Sequence, residues 1–164
     1  MADSHSIGEQ MPRQQLEKPL RYQEDGNVHL DFHGAVNTTI DFIVERYGIE
    51  VLHEIFAKVG KDVYRDLRQH MLDGDPNEMV RHWRHFFDRE NADYDIAVGE
   101  DEIVLTVRRC TAYHHVAKIA PAVSPYFCDQ TSKVNEAIAE GSAYRIDTEI
   151  TGPGVCRQVI RRRA

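Results

Sequence analysis

The chain has 164 residues, 41% hydrophobic and 29% charged, which suits a single globular domain with a real core. Its formal net charge of −7 argues against a general nucleic-acid binder, which needs a positive field to release counterions. The basic end, Arg157 and Arg161 to Arg163, is too small to reverse that balance.

Residues 1–27 are polar, carry Gly8, Pro12, Pro19 and Gly26, and show little periodicity. They read as a flexible arm with a short ordered piece near Leu16 to Tyr22, ahead of one folded domain over 28–164. From about 31 the pattern turns helical. Ala35, Ile40, Ile43, Val44 and Tyr47 recur at helical spacing before Gly48, a helix-ending glycine. Ile49, Val51, Leu52, Ile55, Phe56 and Val59 carry a second helix to Gly60, and Val63, Tyr64, Leu67 and Met71 a third to Gly74. Asp75-Pro76 is a start signal, with Asp as N-cap and Pro at the first helical position. The helix it opens should run through Met79, Trp83, Phe86 and Phe87 to about Glu90.

The period then changes to two. Tyr94, Ile96 and Val98 alternate with polar neighbours, and after Gly99 so do Ile103, Leu105 and Val107, which predicts a hairpin with one buried face. A helical stretch follows over about 111–140, broken near Pro121 and restarting at Ser124-Pro125. Tyr144, Ile146, Thr148 and Ile150 alternate again, and Gly152-Pro153-Gly154 turns the chain into a last strand over 155–162. The expected class is α+β: N-terminal helices packed on a small, mostly antiparallel sheet of two hairpins with an intervening helical segment. No stretch approaches the roughly 18 apolar residues that cross a bilayer. No basic segment followed by an apolar run marks a secretory signal, and three cysteines leave at least one thiol free. The expected setting is therefore reducing and cytoplasmic.

The three cysteines lie in unrelated elements: Cys110 closes a strand, Cys128 sits in a predicted first helical turn, and Cys156 opens the last strand. With Ser124 as N-cap, Cys128 would feel helix N–H dipoles that favour a thiolate, and Asp129 beside it can orient a base or accept a proton. The opposing reading is that all three thiols simply pack, since free cysteine is among the most buried residue types. His114 and His115 follow Cys110 by one helical turn, so one of them can approach its sulfur as an acid–base partner. His82, His85 and Asp88 share a helix face and can present two imidazoles and a carboxylate to a metal, or form a hydrated face among Arg81, Arg84 and Arg89. His29 and His33 share a face only if their segment is helical. No cofactor is demanded. Zinc or another divalent metal is the rival for the thiols, although no pair has C-x2-C spacing. Tyr64, Trp83, Phe86 and Tyr94 read first as core and second as lining of a ligand pocket. Walker, GxSxG and HExxH patterns are absent.

The order Arg109-Cys110-x2-Tyr113, Cys128-Asp129 and Gly154-Val155-Cys156, with Glu45-Arg46-Tyr47-Gly48 upstream, resembles the L-2-amino-thiazoline-4-carboxylic acid hydrolase family over roughly residues 30–163. The resemblance implies hydrolysis at a ring C=N carbon of a small heterocyclic or amino-acid-derived substrate, a thiazoline opening toward a carbamoyl-cysteine. It carries over Cys110, Cys128, Asp129 and Cys156. The residues assigned to catalysis are therefore Cys128, Asp129, Cys110 and His115, with Cys156, Tyr113 and Trp83 against the substrate. Glu149, Gly154 and Cys156 also look like a 4-vinyl reductase-type domain, which implies small-molecule binding or sensing without turnover. A third reading is an oligomeric scaffold, and a homo-oligomer is compatible with all three.

Overall fold

The computed structural model describes residues 30–163. The arm expected over 1–27, its short ordered piece and His29 lie outside the described residues. Element order is α1 (Asp31–Tyr47), α2 (Ile49–Lys58), a π-helical turn (Val59–Val63), α3 (Arg65–Leu72) and α4 (Asn77–Arg89). Then come β1 (Asp93–Val98), β2 (Glu102–Arg109), α5 (Thr111–Ile119), α6 (Asp129–Ala139), β3 (Tyr144–Gly152) and β4 (Val155–Arg162). The fold is α+β, with the N-terminal helices preceding a four-stranded antiparallel sheet of order β1-β2-β4-β3.

Two of the expected helix boundaries follow local chemistry. Gly48 ends α1 with φ +90°, donating its N–H to the Val44 carbonyl at 3.0 Å; a side chain would be strained there. Asp75 caps α4 through its side chain, which accepts the Asn77 N–H at 3.0 Å, and that bond holds its carboxyl below the usual range. From there α4 buries Met79, Val80, Trp83 and Phe87 on one face.

Two other boundaries differ from expectation. Gly60 ends nothing: the chain runs on through the π-helical turn, and Gly60 is buried against α6. A Cβ there would lie 2.7 Å from the Ala137 Cβ and 2.8 Å from the Val134 carbonyl, so this glycine serves close approach of two helices rather than termination. The second difference is at Ser124-Pro125, where no helix restarts. Residues 124–128 form turns instead, with the Phe127 N–H on the Ser124 carbonyl and the Asp129 N–H on the Tyr126 carbonyl, each at 3.0 Å. The physical reason is tertiary: Asn37 on α1 accepts the Ser124 N–H at 2.8 Å, while the Ser124 hydroxyl accepts the Tyr126 N–H at 3.3 Å. Ser124 is thus spent on a turn, and α6 starts at Asp129.

Strand alternation sends Ile103, Leu105 and Val107 of β2, Tyr144 and Ile146 of β3, and Ile160 of β4 into one cluster with Met79, Trp83 and Phe87 of α4. Ile40, Leu52, Phe56, Ala112, Val116 and Phe127 form a second cluster among α1, α2, α5 and the turn before α6. Cys110 packs against both clusters, Cys156 against the first and Cys128 against the second. The seam between the two cores is where the candidate site lies.

Candidate functional site

Three chain reversals bring the thiols to the seam. Cys110 is the hinge between β2 and α5, held by its N–H on the Gly154 carbonyl at 2.8 Å. That bond ties it to the β3–β4 turn, from which Cys156 follows two residues later. Pairing of β4 with both neighbours places Cys156 between Val107 and Ile150. Cys128 ends the turn that Asn37 anchors. Each of the three is partly exposed and free.

The three thiols lie within electrostatic reach of one another. Burial, with the charges of Cys110, Cys156 and Asp129 adding to it, pushes the Cys128 thiol up to about 11. Burial also raises Cys110, and the charges of Glu90 and Cys156 add to it. Cys156 is raised by burial, against a hydrogen bond from Gln158 Nε2 at 3.7 Å. The thiols are therefore protonated at neutral pH. The thiolate expected at Cys128 from a helix dipole is not favoured: Cys128 is the N-cap of α6, but its side chain makes no hydrogen bond to the helix and burial dominates. Cys110 also stands at a helix start. It is the N-cap of α5, and its sulfur accepts the Tyr113 N–H at 3.5 Å.

Asp129 has a partner that sequence reading missed. His53 Nε2, from α2, donates to Asp129 Oδ2 at 2.8 Å, with the two side chains 32% and 29% exposed. A second pair lies deeper: His33 Nε2, on α1, donates to Glu90 Oε1 at 2.8 Å. Glu90 caps the C-terminal end of α4. Below Cys156, Asn135 of α6 donates to Gln158 Oε1 at 2.7 Å and to Thr148 Oγ1 at 3.1 Å, so α6 is bolted to the inner face of the sheet. Gln158 is the polar residue in an otherwise apolar inward row, and that break in alternation was the signal for it. Glu90 also had one, an acid where a helix end favours cations. For His53, one polar position on an amphipathic helix, there was none.

The remaining expected site residues separate. Tyr113 stays at the seam, its ring edge-on to Phe127 at 6.3 Å and close over Gly154. His114 also packs over Gly154, its Nε2 3.0 Å from where a Cβ would stand. His115 turns toward α1 and donates to Asp31 Oδ1 at 3.2 Å. His115 thus has a carboxylate partner on α1, and His114 lies against the β3–β4 turn to which the Cys110 backbone is bonded. Trp83, at 3% exposure, is part of the α4–sheet core. Asp88 accepts the Tyr94 hydroxyl at 2.6 Å. Among the described residues, no group of three His, Cys, Asp or Glu side chains is arranged to hold a metal ion, the thiols and the His82–His85–Asp88 face included. Nor is any helix among them long and apolar enough to cross a membrane. Compared with models of known protein families and with curated proteins, the chain matches none.

Proposed function

We propose that the chain is a hydrolase that opens a small C=N-bearing heterocycle, a thiazoline or cyclic amidine. The observation that supports this is that Cys110, Cys128 and Cys156, from three separate elements, share one seam between the cores, with Asp129, next in sequence to Cys128, paired to His53. Those cysteines and Asp129 are also the positions at which the sequence resembles the L-2-amino-thiazoline-4-carboxylic acid hydrolase family.

A protonated thiol needs a base before it can attack, and a carboxylate–histidine pair is a suitable one. In the proposed reaction the Cys128 sulfur bonds to the ring C=N carbon while its proton passes to the Asp129–His53 pair. With the ring nitrogen already protonated, the π electrons move onto it and leave a neutral tetrahedral carbon. A nitrogen lone pair then re-forms C=N as the bond from that carbon to the ring heteroatom breaks, and the heteroatom takes the thiol's proton back from the pair. Water adds to the carbon still bonded to sulfur, giving one proton to the pair; C=O forms as its second proton passes to solvent, and Cys128 departs as a thiol with the proton from the pair. Cys110, capped by the α5 backbone, and Cys156 line the same centre.

Ring opening of L-2-amino-thiazoline-4-carboxylate and simpler cyclic amidines, followed by product mass, tests this. Cys128→Ser and Asp129→Asn should each lower kcat by about 100-fold or more, as loss of a nucleophile or its base does. Full turnover in Cys128→Ser would remove the covalent route.

A ligand-binding module without turnover is the second reading, and one observation favours it: burial keeps all three thiols protonated. Saturable binding of a cyclic amidine with no product in any condition would select it.

A further inference from the structure

Glu90 stands against the preferences of its surroundings. It caps the C-terminal end of α4, where the last carbonyls carry partial negative charge and cations are favoured. Its side chain is 0% exposed, and a buried carboxylate is costly unless its lone pairs are met. His33 meets one oxygen, Oε1, at 2.8 Å. The other, Oε2, is equally buried and has no hydrogen-bond partner among the described residues. Native proteins rarely leave such an atom unmatched, and those that do tend to use it.

The location of that atom narrows the use. The β1–β2 register pairs Asp93 with Arg109, which brings the end of α4 beside the β2–α5 hinge, and the Glu90 charge there raises the Cys110 thiol. Cys110 shares the seam with Cys128 and Cys156, and all three residues remain partly exposed. A carboxylate oxygen accepts and cannot donate. The group that satisfies it is therefore an N–H or O–H, and a cationic N–H gains most from a desolvated negative partner.

We propose that Glu90 Oε2 recognises a cationic N–H of the ligand, so that this site takes amidinium-type heterocycles and discriminates against neutral rings carrying a carbonyl oxygen at the same position. With C=O in place of C–NH2, two sets of lone pairs face each other across a buried gap. That arrangement leaves both acceptors unmatched, and the site rejects it. Held in its protonated form, an amidine also keeps its central carbon electrophilic next to the thiols. The reaction assigned to the bound ring rests on the hydrolase reading above; the recognition of a cation does not.

The test compares 2-amino-2-thiazoline with thiazolidin-2-one, the same ring bearing C=O, by amide-resolved NMR titration of the full chain at neutral pH. The cation should bind at least about tenfold more tightly, with the largest shifts at the amides of Glu90, Asn91 and Cys110 to Ala112. Glu90→Gln keeps the side chain's shape and an acceptor for His33, and it should erase the preference while retaining a cooperative melt. Equal affinities in the wild type, no binding of the cation at millimolar concentration, shifts confined to another face, or a preference that survives in folded Glu90→Gln would each overturn the inference. If Glu90→Gln does not fold, the wild-type comparison and the position of the shifts still decide. Because the readout is binding, preference without turnover of any cyclic amidine would uphold this inference and remove the hydrolase reading. Turnover without preference would do the reverse.

Discussion

The thiol seam and the groove between α3 and α4 are both rich in ionisable side chains, yet they are built in opposite ways. The groove encloses about 430 Å³ and is lined by Tyr64, His70, Glu78, Arg81, His82 and His85 among others, drawn from α3, α4 and the residues just before α3. Its charges answer one another within a turn or two, as in Arg81 with Glu78 and His70 with Asp75. The seam takes single residues from α1, α2, the end of α4, the β2–α5 hinge, the turn before α6 and the start of β4. Its groups have few partners each, and those partners are distant in sequence: His33 with Glu90, His53 with Asp129, Asn135 with Gln158. Local pairing makes a hydrated face. Long-range pairing under burial costs desolvation for every group, and on that ground we propose the seam rather than the groove as the site.

That difference sets the mutational response. His33→Ala would leave the Glu90 carboxylate buried with neither oxygen met and should cost about 3–5 kcal/mol of stability by chemical denaturation. A loss below about 1 kcal/mol would mean that Glu90 finds water easily and that the seam is as wet as the groove. Gly60→Ala comes next. It forces a methyl against Ala137 and the Val134 backbone, which should cost about 1–3 kcal/mol and shift α6, the helix that carries Asp129 and Asn135. If the variant melts like the wild type, α6 is not held in place by this contact.

Cys128 gives the pH dependence. Its folded value of about 11 lies above the 9.0 of a free thiol. The native state therefore holds this proton more tightly than the unfolded chain does. The stability this provides is complete below about pH 9 and is lost as pH rises toward about 11. Alkylation of Cys128 by iodoacetamide should correspondingly be slow at pH 8 and keep accelerating to about pH 11; a plateau near pH 8 would show a low-pKa thiolate instead. The smallest effect belongs to the groove. His85→Ala, at an exposed position, should change stability by no more than about 0.5 kcal/mol.

The same contrast explains what could be read from the sequence. Helical spacing placed His82 and His85 on one face, and it placed the α4 core of Met79, Trp83 and Phe87, because both follow from one helix alone. Alternation located the four strands, and the two glycine-bearing hairpins led to an antiparallel sheet. The cysteines stood out by residue type, but their meeting depends on the β2–β4 pairing and on Asn37 anchoring the 124–128 turn, contacts spanning most of the domain. Gly60 was misread as a terminator because a glycine that ends a helix and one that admits a neighbour look alike in one dimension. His53 and His33 acquired roles only when their helices were packed. Glu90, like Gln158, carried a local hint, an acid at a helix C-terminus, and its orphaned oxygen is what the fold adds to that hint.

The central claim is that three thiols from separate elements form one ligand-facing centre. Alkylation of Cys110, Cys128 and Cys156, resolved by peptide mass spectrometry with and without L-2-amino-thiazoline-4-carboxylate, tests it most directly. One site predicts that the ligand slows modification of all three cysteines over the same concentration range. Protection of none, or of one cysteine while the other two react unchanged, would contradict it.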